Sequence, residues 1–345
     1  MGPAASPGPL RLMGAPGSPY TRKMIALLRY RRIPYAILWG GHQRPPEGYP
    51  APKVRLLPTF YFPADDGALE AVVDSTPIAR RLEADYPGRS VIPDDPALRW
   101  LNELIEDFAD EWLTKPMFHY RWAHQADILN AGPLLVYWSA PTVSPEEGSA
   151  MAVAFSERQI GRLHVVGSND ITAETIESSY RRLLGLLDER IRDEGYVFGA
   201  RPATADFALY GQLTQLAIVE PTSAAIACRD APRVRAWIDR VEDLSGLEPE
   251  AGDWLARDRF DVLQALLAEI GRVYVPFLLA NAAAVQAGEK AFETDIDGRK
   301  WSQPTFPYQA KCLQWLQEGY RALGSGDRSV VDNVLEGTGC ERLTA

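Results

Sequence analysis

The stretch Arg11-Leu-Met-Gly-Ala-Pro-Gly-Ser-Pro-Tyr-Thr-Arg-Lys23 decides the fold of the first part of the chain. Residues 10–13 are apolar except for Arg11 and predict a short buried strand, which the glycines and proline of residues 14–17 end. Ser18 and Pro19 then predict a helix start, because Ser is a favoured N-cap and Pro fits the first helical position. A strand that runs directly into a helix directs the helix's free N–H groups at one place, where an anion is stabilised.

Short apolar runs separated by turn residues predict the rest of a small α/β domain. A second strand behind the first helix makes a strand–helix–strand unit with a parallel pair of strands. An Asp-Asp-Gly turn between two further apolar runs predicts a β-hairpin. The predicted elements are strands over residues 35–39, 59–62 and 69–73, the turn over residues 65–67, and a helix over residues 76–86 that Asp74 or Ser75 caps.

The rest of the chain predicts helices. Apolar residues recur at helical spacing from residue 98 onward, and no convincing strand follows Val73. A less regular insertion is predicted over residues 132–150. The predicted organisation is a disordered arm over residues 1–9, an α/β domain of the order βαβ–ββα over residues 10–87, a linker over residues 88–96, an all-helical domain over residues 97–250 and a helical C-terminal extension over residues 251–345.

Composition excludes several classes of function. The formal net charge is -10, whereas contact with nucleic-acid phosphates requires clustered Lys and Arg, so no nucleic-acid partner is expected. The three cysteines are far apart and odd in number, which argues against a disulfide framework and is typical of a reducing cytoplasm. His119 and His124 lack a metal-binding pattern, so no metal is predicted. The apolar run over residues 273–285 is too short to span a bilayer, so no membrane partner is expected.

Five short motifs occur in order along residues 10–245. They are Gly14-Ala-Pro-Gly-Ser-Pro-Tyr-Thr-Arg-Lys23, Leu57-Pro58-Thr59 before the third strand, Asp74-Ser75 before the next helix, the segment 86–96, and Gly199-Ala-Arg-Pro-Ala-Thr-Ala-Asp206. Each motif is weak alone, but the ordered set resembles the bacterial, Ser-type members of the glutathione S-transferase superfamily. The resemblance implies a thioredoxin-like N-terminal domain and an all-α C-terminal domain, here extended by further helices. One departure is Ala203, where the family usually has a Ser or Thr that caps the central helix.

The resemblance implies that the anion at the first helix is the thiolate of glutathione, bound as a co-substrate. Ser18 is then expected to donate a hydrogen bond to the sulfur and lower its pKa, with Tyr20 as the alternative donor. Because position 18 is not Cys, dithiol exchange is excluded and a deglutathionylating activity is disfavoured. A helix cap with no catalytic role is the other interpretation of Ser18.

The other motifs imply contacts with the rest of the tripeptide. A cis bond between Leu57 and Pro58 would let the Leu57 backbone pair with the peptide backbone of glutathione. Asp74 would accept from the γ-glutamyl ammonium, and the hydroxyl and N–H of Ser75 would hold its carboxylate. Lys53 is a candidate for the glycyl carboxylate. Helix capping is again the alternative role of Asp74 and Ser75.

Aromatic residues supply the candidates for a second-substrate pocket. By resemblance, His119 and Trp122 belong to the segment that lines this pocket, although an aromatic stripe at helical spacing is more often core. For Trp301, Phe306 and Tyr308 of the extension, packing on the outer helices is predicted rather than a cover over the cleft. Trp237 and Trp315 are likewise predicted to lie in the core.

The function that these predictions favour is a cytoplasmic glutathione transferase, of the kind that acts in detoxification. Bound glutathione would attack a small electrophilic substrate, and the resemblance implies a homodimer. Two alternatives remain open. One is a non-catalytic binding or scaffold protein that keeps the fold, and the other is a glutathione-dependent isomerase or peroxidase.

Overall fold

The computed structural model describes residues 8–40, 45–64 and 67–344, and its N-terminal part is a four-stranded mixed sheet with two helices. These elements are β1 (Leu10–Gly14), α1 (Pro19–Tyr30), β2 (Tyr35–Trp39), β3 (Thr59–Pro63), β4 (Leu69–Val72) and α2 (Ser75–Asp85). The strand order is β2-β1-β3-β4, with β1 parallel to β2 and antiparallel to β3. This arrangement confirms the predicted βαβ–ββα order. Residues 1–7 of the predicted arm and residues 65–66 of the predicted turn lie outside the described residues.

A bundle of helices follows the α/β domain. The helices are α3 (Pro96–Glu111), α4 (Thr114–Ala123), α5 (Gln125–Ser139), α6 (Pro145–Ile160), α7 (Ala173–Glu194), α8 (Thr204–Thr214), α9 (Pro221–Asp230) and α10 (Pro232–Val241). Every residue of α8 is buried, and this helix packs against α1 and α3 at the centre of the molecule. The irregular insertion predicted over residues 132–150 is wrong: α5 and α6 cover most of it, and only residues 140–144 form a loop between them.

The N-terminus of α8 is held without the usual hydroxyl cap. Asp206 accepts hydrogen bonds from the N–H groups of Ala203 and Val197, both at 2.9 Å. Asn102 of α3 supplies the missing contact, because its Oδ1 accepts from the Ala205 N–H at 3.0 Å. The departure at Ala203 is therefore compensated by a side chain from a neighbouring helix.

The C-terminal extension is not purely helical, which corrects the prediction. It consists of α11 (Gln264–Gln286), the antiparallel strands β5 (Ala291–Ile296) and β6 (Arg299–Pro304), α12 (Pro307–Ala322) and α13 (Ser325–Leu335). The hairpin turns at Asp297 and Gly298, which both have positive φ, 53° and 75°. One face of the hairpin, with Phe292, Ile296 and Trp301, is buried against the helices. The alternating pattern typical of a strand is thus present, but it is short.

α11 is long and apolar enough to pass as a membrane span by length and composition alone. Of the apolar window, 61% is buried inside the protein, and α11 packs against α3, α7 and α12. α11 is therefore a core helix of the extension, and no membrane is indicated.

Candidate functional site

Ser18 lies where the chain leaves β1 and enters α1. Its Oγ accepts a hydrogen bond from the Thr21 N–H at 3.2 Å, which confirms the predicted N-cap. The same oxygen lies 3.5 Å from the carbonyl oxygen of Leu57, a long distance for a hydroxyl donor. The Ser18 hydroxyl therefore donates at most a weak hydrogen bond to Leu57. A stronger acceptor, such as a thiolate, can accept that hydrogen bond instead.

The turn before Ser18 is fixed by the helical domain. A Cβ at Gly17 would lie 2.4 Å from a methyl group of Leu135 on α5, so this position has no room for a larger residue. Arg121 donates to the Gly17 carbonyl at 3.3 Å and forms a buried ion pair with Glu220 at 2.5 Å. These contacts restrict the conformation of the turn and so help to position Ser18.

Tyr20, the alternative donor, is already engaged. Its hydroxyl donates to the backbone carbonyl of Asp110 at 2.7 Å. Burial raises the pKa of Tyr20 well above its ordinary value, and the nearby carboxyls of Glu111 and Asp110 raise it further. Tyr20 thus stays protonated, and its hydroxyl already donates to the Asp110 carbonyl. Ser18 is therefore the better-placed donor to a bound sulfur.

The peptide bond between Leu57 and Pro58 is cis, as the sequence predicts. Thr59 follows at the start of β3, and its hydroxyl donates to the Leu56 carbonyl at 2.8 Å, which closes the turn. Leu57 is half-buried and lines a cavity next to the sheet. Leu57 is therefore in contact with both Ser18 and that cavity.

Asp74 has a backbone conformation that L-residues rarely adopt, with φ of 84°. Its side chain makes no capping bond to α2, and its Oδ2 instead accepts from the hydroxyl of Tyr308 at 2.8 Å. The capping interpretation of Asp74 therefore fails in the described structure. The first N–H groups of α2 therefore receive no hydrogen bond from the Asp74 carboxylate.

Ser75 is buried at the first position of α2. Its Oγ accepts from Lys23 Nζ at 3.3 Å, and this ammonium also donates to Glu106 at 2.7 Å and to Asp110 at 2.5 Å. The two carboxylates raise the pKa of Lys23 against the opposing effect of burial, so Lys23 is charged. Lys23 thus connects α1, α2 and α3 at the floor of the site.

A cavity of about 850 Å³ lies between the α/β domain, α3 and the extension. On the side of the α/β domain it is lined by Leu57, Asp74 and Ser75, and Tyr20 lines it beside α3. Ser18 does not contribute to this lining, but its Oγ lies 3.5 Å from the carbonyl oxygen of Leu57, which does. This volume is in the range of cavities that bind small molecules.

One wall of the cavity is a row of carboxyl groups on α3. They are Glu103, Glu106, Asp107, Asp110 and Glu111. Burial raises the pKa of Asp107 to about 7 and that of Glu111 to about 8, and their mutual repulsion adds to the rise in Glu111. The sequence analysis missed this row, because a run of charges on a helix is most often a solvated face.

Basic groups partly offset this acidic wall. Lys115 Nζ donates to Gln303 at 2.9 Å and lies 3.9 Å from the ring centre of Phe277. Burial lowers the pKa of Lys115 to about 7, so its ammonium is easily deprotonated. Arg80, another basic residue of the lining, forms an ion pair with Glu103 at 3.1 Å. The cavity therefore favours a ligand that brings an ammonium group toward the carboxyl row.

The extension contributes more to the cavity than the sequence predicts. Phe306, Tyr308 and Trp315 line it, so the prediction that the first two pack on outer helices and that Trp315 lies in the core is wrong. Trp301 does pack in the core, 5.4 Å from the ring of Trp112, and Trp237 is buried as predicted. These positions could not be read from the sequence because the contacts join segments more than 200 residues apart.

The remaining candidates lie away from the cavity. Lys53 is exposed and does not line it. Trp122 is buried, 5.8 Å from the ring of Phe155, and His119 is buried beside Ser168. Neither residue belongs to the lining of this cavity, because α4 directs Trp122 toward α6 and His119 toward α7. Their role in a second-substrate pocket stays a prediction.

Comparison with protein families identifies the class. The family described as "Glutathione S-transferase, N-terminal domain" matches residues 12–90, and "Glutathione S-transferase, C-terminal domain" matches residues 170–240. The chain thus carries both domains of the glutathione S-transferase superfamily, over residues 12–90 and 170–240. The residues between the two matches hold α3, α4, α5 and α6, and the extension lies beyond the second match.

Similar chains occur among solved structures. A glutathione S-transferase from Methylobacterium radiotolerans JCM 2831, in complex with glutathione sulfonate, is 19% identical over 72% of this chain and 99% of its own, with a TM-score of 0.37. One from Rhodospirillum rubrum F11 is 18% identical over 73% and 99%, with a TM-score of 0.43. The beta-etherase LigF from Sphingobium sp. strain SYK-6 is 19% identical over 67% and 94%, with a TM-score of 0.47. No protein of curated function matches the chain.

Proposed function

We propose that this protein binds glutathione at the cavity between its α/β domain and the extension, and activates the glutathione sulfur for attack on a small electrophile. The observation that carries the proposal is that Leu57, Asp74 and Ser75 all line the cavity, and that Ser18 Oγ lies 3.5 Å from the carbonyl oxygen of Leu57. Because the chain carries both glutathione S-transferase domains, we interpret these residues as a glutathione-binding site.

The charges at the site support one orientation of the tripeptide. The γ-glutamyl ammonium would lie near Asp74 and the carboxyl row of α3, where negative charge prevails. Its carboxylate would accept from the first N–H groups of α2 and from Ser75, at the positive end of the helix dipole. Leu57 would pair with the cysteinyl backbone, which brings the sulfur toward Ser18.

Ser18 is the group that we assign to activation of the sulfur. Its Oγ already accepts from the Thr21 N–H, so only its proton is available, and a thiolate is a better acceptor than the distant Leu57 carbonyl. A free thiol with a pKa of about 8.5 is mostly protonated at neutral pH. A charge-assisted hydrogen bond and the dipole of α1 favour the thiolate and lower that pKa.

The second substrate would enter from the side of the extension. Phe306, Trp315 and Leu316 form an apolar part of the cavity wall. Such a wall suits an aromatic or otherwise apolar electrophile, and the reaction class is conjugation, dehalogenation or ether cleavage by the glutathione thiolate. A cytoplasmic location and a homodimer remain predictions, and light scattering on the full chain tests the homodimer.

The test is glutathione calorimetry combined with steady-state turnover of halogenated aromatics and aryl ethers. We expect heat of binding for the unmodified protein, and Ser18→Ala should keep binding but lose most turnover. Ser144→Ala is the matched control, because Ser144 caps α6 by accepting from the Glu147 N–H at 3.2 Å. Absence of binding at millimolar glutathione contradicts the proposal, and so does full turnover by Ser18→Ala.

A second candidate function is a binding or scaffold protein that keeps the fold without catalysis. Tyr308 favours it, because its hydroxyl already occupies one oxygen of Asp74, the group assigned to the ligand's ammonium. Tyr308→Phe separates the two possibilities. Binding of glutathione only after this substitution indicates a site that the extension blocks, and absence of binding in both proteins supports the scaffold.

A further inference from the structure

Three potential metal ligands converge outside the cavity. They are His119 on α4, His124 between α4 and α5, and Glu177 on α7, and their ligand atoms all lie within 4.8 Å of one another. Glu177 Oε1 lies 3.4 Å from His119 Nε2 and 3.3 Å from His124 Nε2. The two rings thus present their Nε2 atoms to the same carboxylate oxygen.

The two distances from Glu177 Oε1 to the histidine nitrogens match the edge of a metal coordination tetrahedron. Zinc binds imidazole nitrogen and carboxylate oxygen at about 2.0–2.1 Å, so two ligands of a tetrahedral ion lie roughly 3.3–3.4 Å apart. An ordinary hydrogen bond from imidazole to a carboxylate is shorter, about 2.7–2.9 Å when charged. His124 Nε2 is buried and has no hydrogen-bond partner among the described residues. A buried nitrogen without a partner is costly, and a cation between the three atoms would satisfy it.

The surroundings of the cluster are those of a metal site. His119 Nδ1 lies 2.8 Å from Ser168 Oγ, the kind of contact that fixes the ring orientation and leaves Nε2 for a metal. The ring of Tyr120 stacks on His124 at 5.3 Å and restricts its rotation.

The charges around the cluster permit a divalent cation. Arg181 Nη2 contacts the other oxygen of Glu177, Oε2, at 3.4 Å, which leaves Oε1 free to bind the ion. The side chains of His124 and Glu177 are 32% and 23% exposed, so an ion can enter from solvent and keep a water as the fourth ligand. His119, by contrast, is only 4% exposed by side chain and forms the closed end of the site.

We propose that His119, His124 and Glu177 bind a zinc ion through His119 Nε2, His124 Nε2 and Glu177 Oε1. Two imidazoles and one carboxylate with an open position form a donor set that suits zinc. Sequence analysis predicts no metal here because the histidines are five residues apart and Glu177 follows 58 residues after His119. The site is independent of the proposed glutathione chemistry.

A bound ion would join the corner between α4 and α5 to α7. Ser168, which orients His119, follows the 3₁₀ turn whose Val165 and Val166 line the cavity. The ion would therefore stabilise the folded chain, and at about 100-fold excess over its dissociation constant the thermal midpoint should rise by roughly 4 °C.

The test is calorimetric titration of the metal-stripped full chain with zinc, and in parallel with magnesium. We expect one zinc per chain with micromolar affinity or tighter, and no binding of magnesium at the same concentrations. Glu177→Gln and His124→Ala should weaken zinc binding by on the order of 100-fold, and Ser168→Ala by about 10-fold. His164→Ala is the matched control, because this histidine is exposed and its Nδ1 lies 3.0 Å from the Gly161 carbonyl.

Cobalt in place of zinc reports the geometry. The visible absorption of tetrahedral cobalt should appear in the unmodified protein and in His164→Ala, and disappear in Glu177→Gln and His124→Ala. Thermal unfolding without metal checks that these variants fold. No zinc binding at millimolar concentration overturns the proposal, as does binding that Glu177→Gln and His124→Ala leave unchanged, which would assign the ion to another part of the chain.

Discussion

The role assigned to Asp74 is testable by Asp74→Asn. This substitution removes the negative charge but keeps the shape of the side chain, and Asn tolerates the positive φ of 84° almost as well as Asp does. The hydroxyl of Tyr308, which donates to Asp74 Oδ2 at 2.8 Å, can still donate to the amide oxygen of Asn. We therefore expect Asp74→Asn to fold normally and to bind glutathione more weakly.

The size of the loss follows from the charges that remain. A hydrogen bond to a charged group contributes about 1.5–3 kcal/mol, which corresponds to roughly 10- to 150-fold in Kd. The carboxyl row of α3, with Glu106 and Asp110 in contact with Lys23, stays in place and continues to attract an ammonium. We therefore expect the lower part of this range, a loss of about 10- to 30-fold in glutathione affinity.

The assay is calorimetric titration with glutathione and with N-acetylglutathione, which lacks the ammonium, on both proteins. If Asp74 accepts from the ammonium, N-acetylation should cost the unmodified protein as much as the substitution does, and should cost Asp74→Asn about threefold or less. Asp85→Asn is the control, because Asp85 is an exposed carboxylate at the other end of α2. Equal losses on N-acetylation in both proteins would refute the assignment.

Two further predictions concern the buried charges of α3. Lys23→Met should lower the free energy of unfolding by about 3–5 kcal/mol, because it leaves Glu106 and Asp110 buried without their cation. Denaturant titration measures this loss, and Lys311→Met, at an exposed lysine, is the control that should change the free energy of unfolding little. Burial raises the pKa of Glu111 to about 8, so the folded state binds more protons than the unfolded state between pH 4.5 and 8, and stability falls as the pH rises through this window. Glu111→Gln should remove on the order of 5 kcal/mol of that fall, and pH profiles of unfolding that run parallel for the two proteins would contradict this.

The sequence predicts the α/β domain well because its signals are local. The apolar runs of β1 and β2, the Ser-Pro start of α1 and the turn residues before β3 each act within a few residues. Ser18, Pro58 and Asp74 could therefore be assigned positions, and the structure places them at a helix cap, a cis peptide and a strained residue. Their roles toward glutathione stay predictions.

The features that the sequence hides depend on contacts between distant segments. The acidic residues of α3 are indistinguishable from a solvated face until the extension covers them, as the bond from Gln309 to Glu111 illustrates at 2.9 Å. Tyr308 reaches Asp74 across 234 residues. The β-hairpin has a local signal, Asp297-Gly298, but it is a single turn within a segment that otherwise has helical spacing, and the sequence analysis did not use it.

The most direct test of the account is the pKa of the sulfur of bound glutathione, measured from the ultraviolet absorption of the thiolate against pH. For the unmodified protein and for Ser144→Ala, we expect this pKa to lie about one to two units below the ordinary thiol value of about 8.5. Ser18→Ala should return it toward 8.5, and Ser18→Thr, which keeps a hydroxyl, should restore most of the shift. A sulfur that titrates near 8.5 in the unmodified protein, or equally low in Ser18→Ala, would contradict the account.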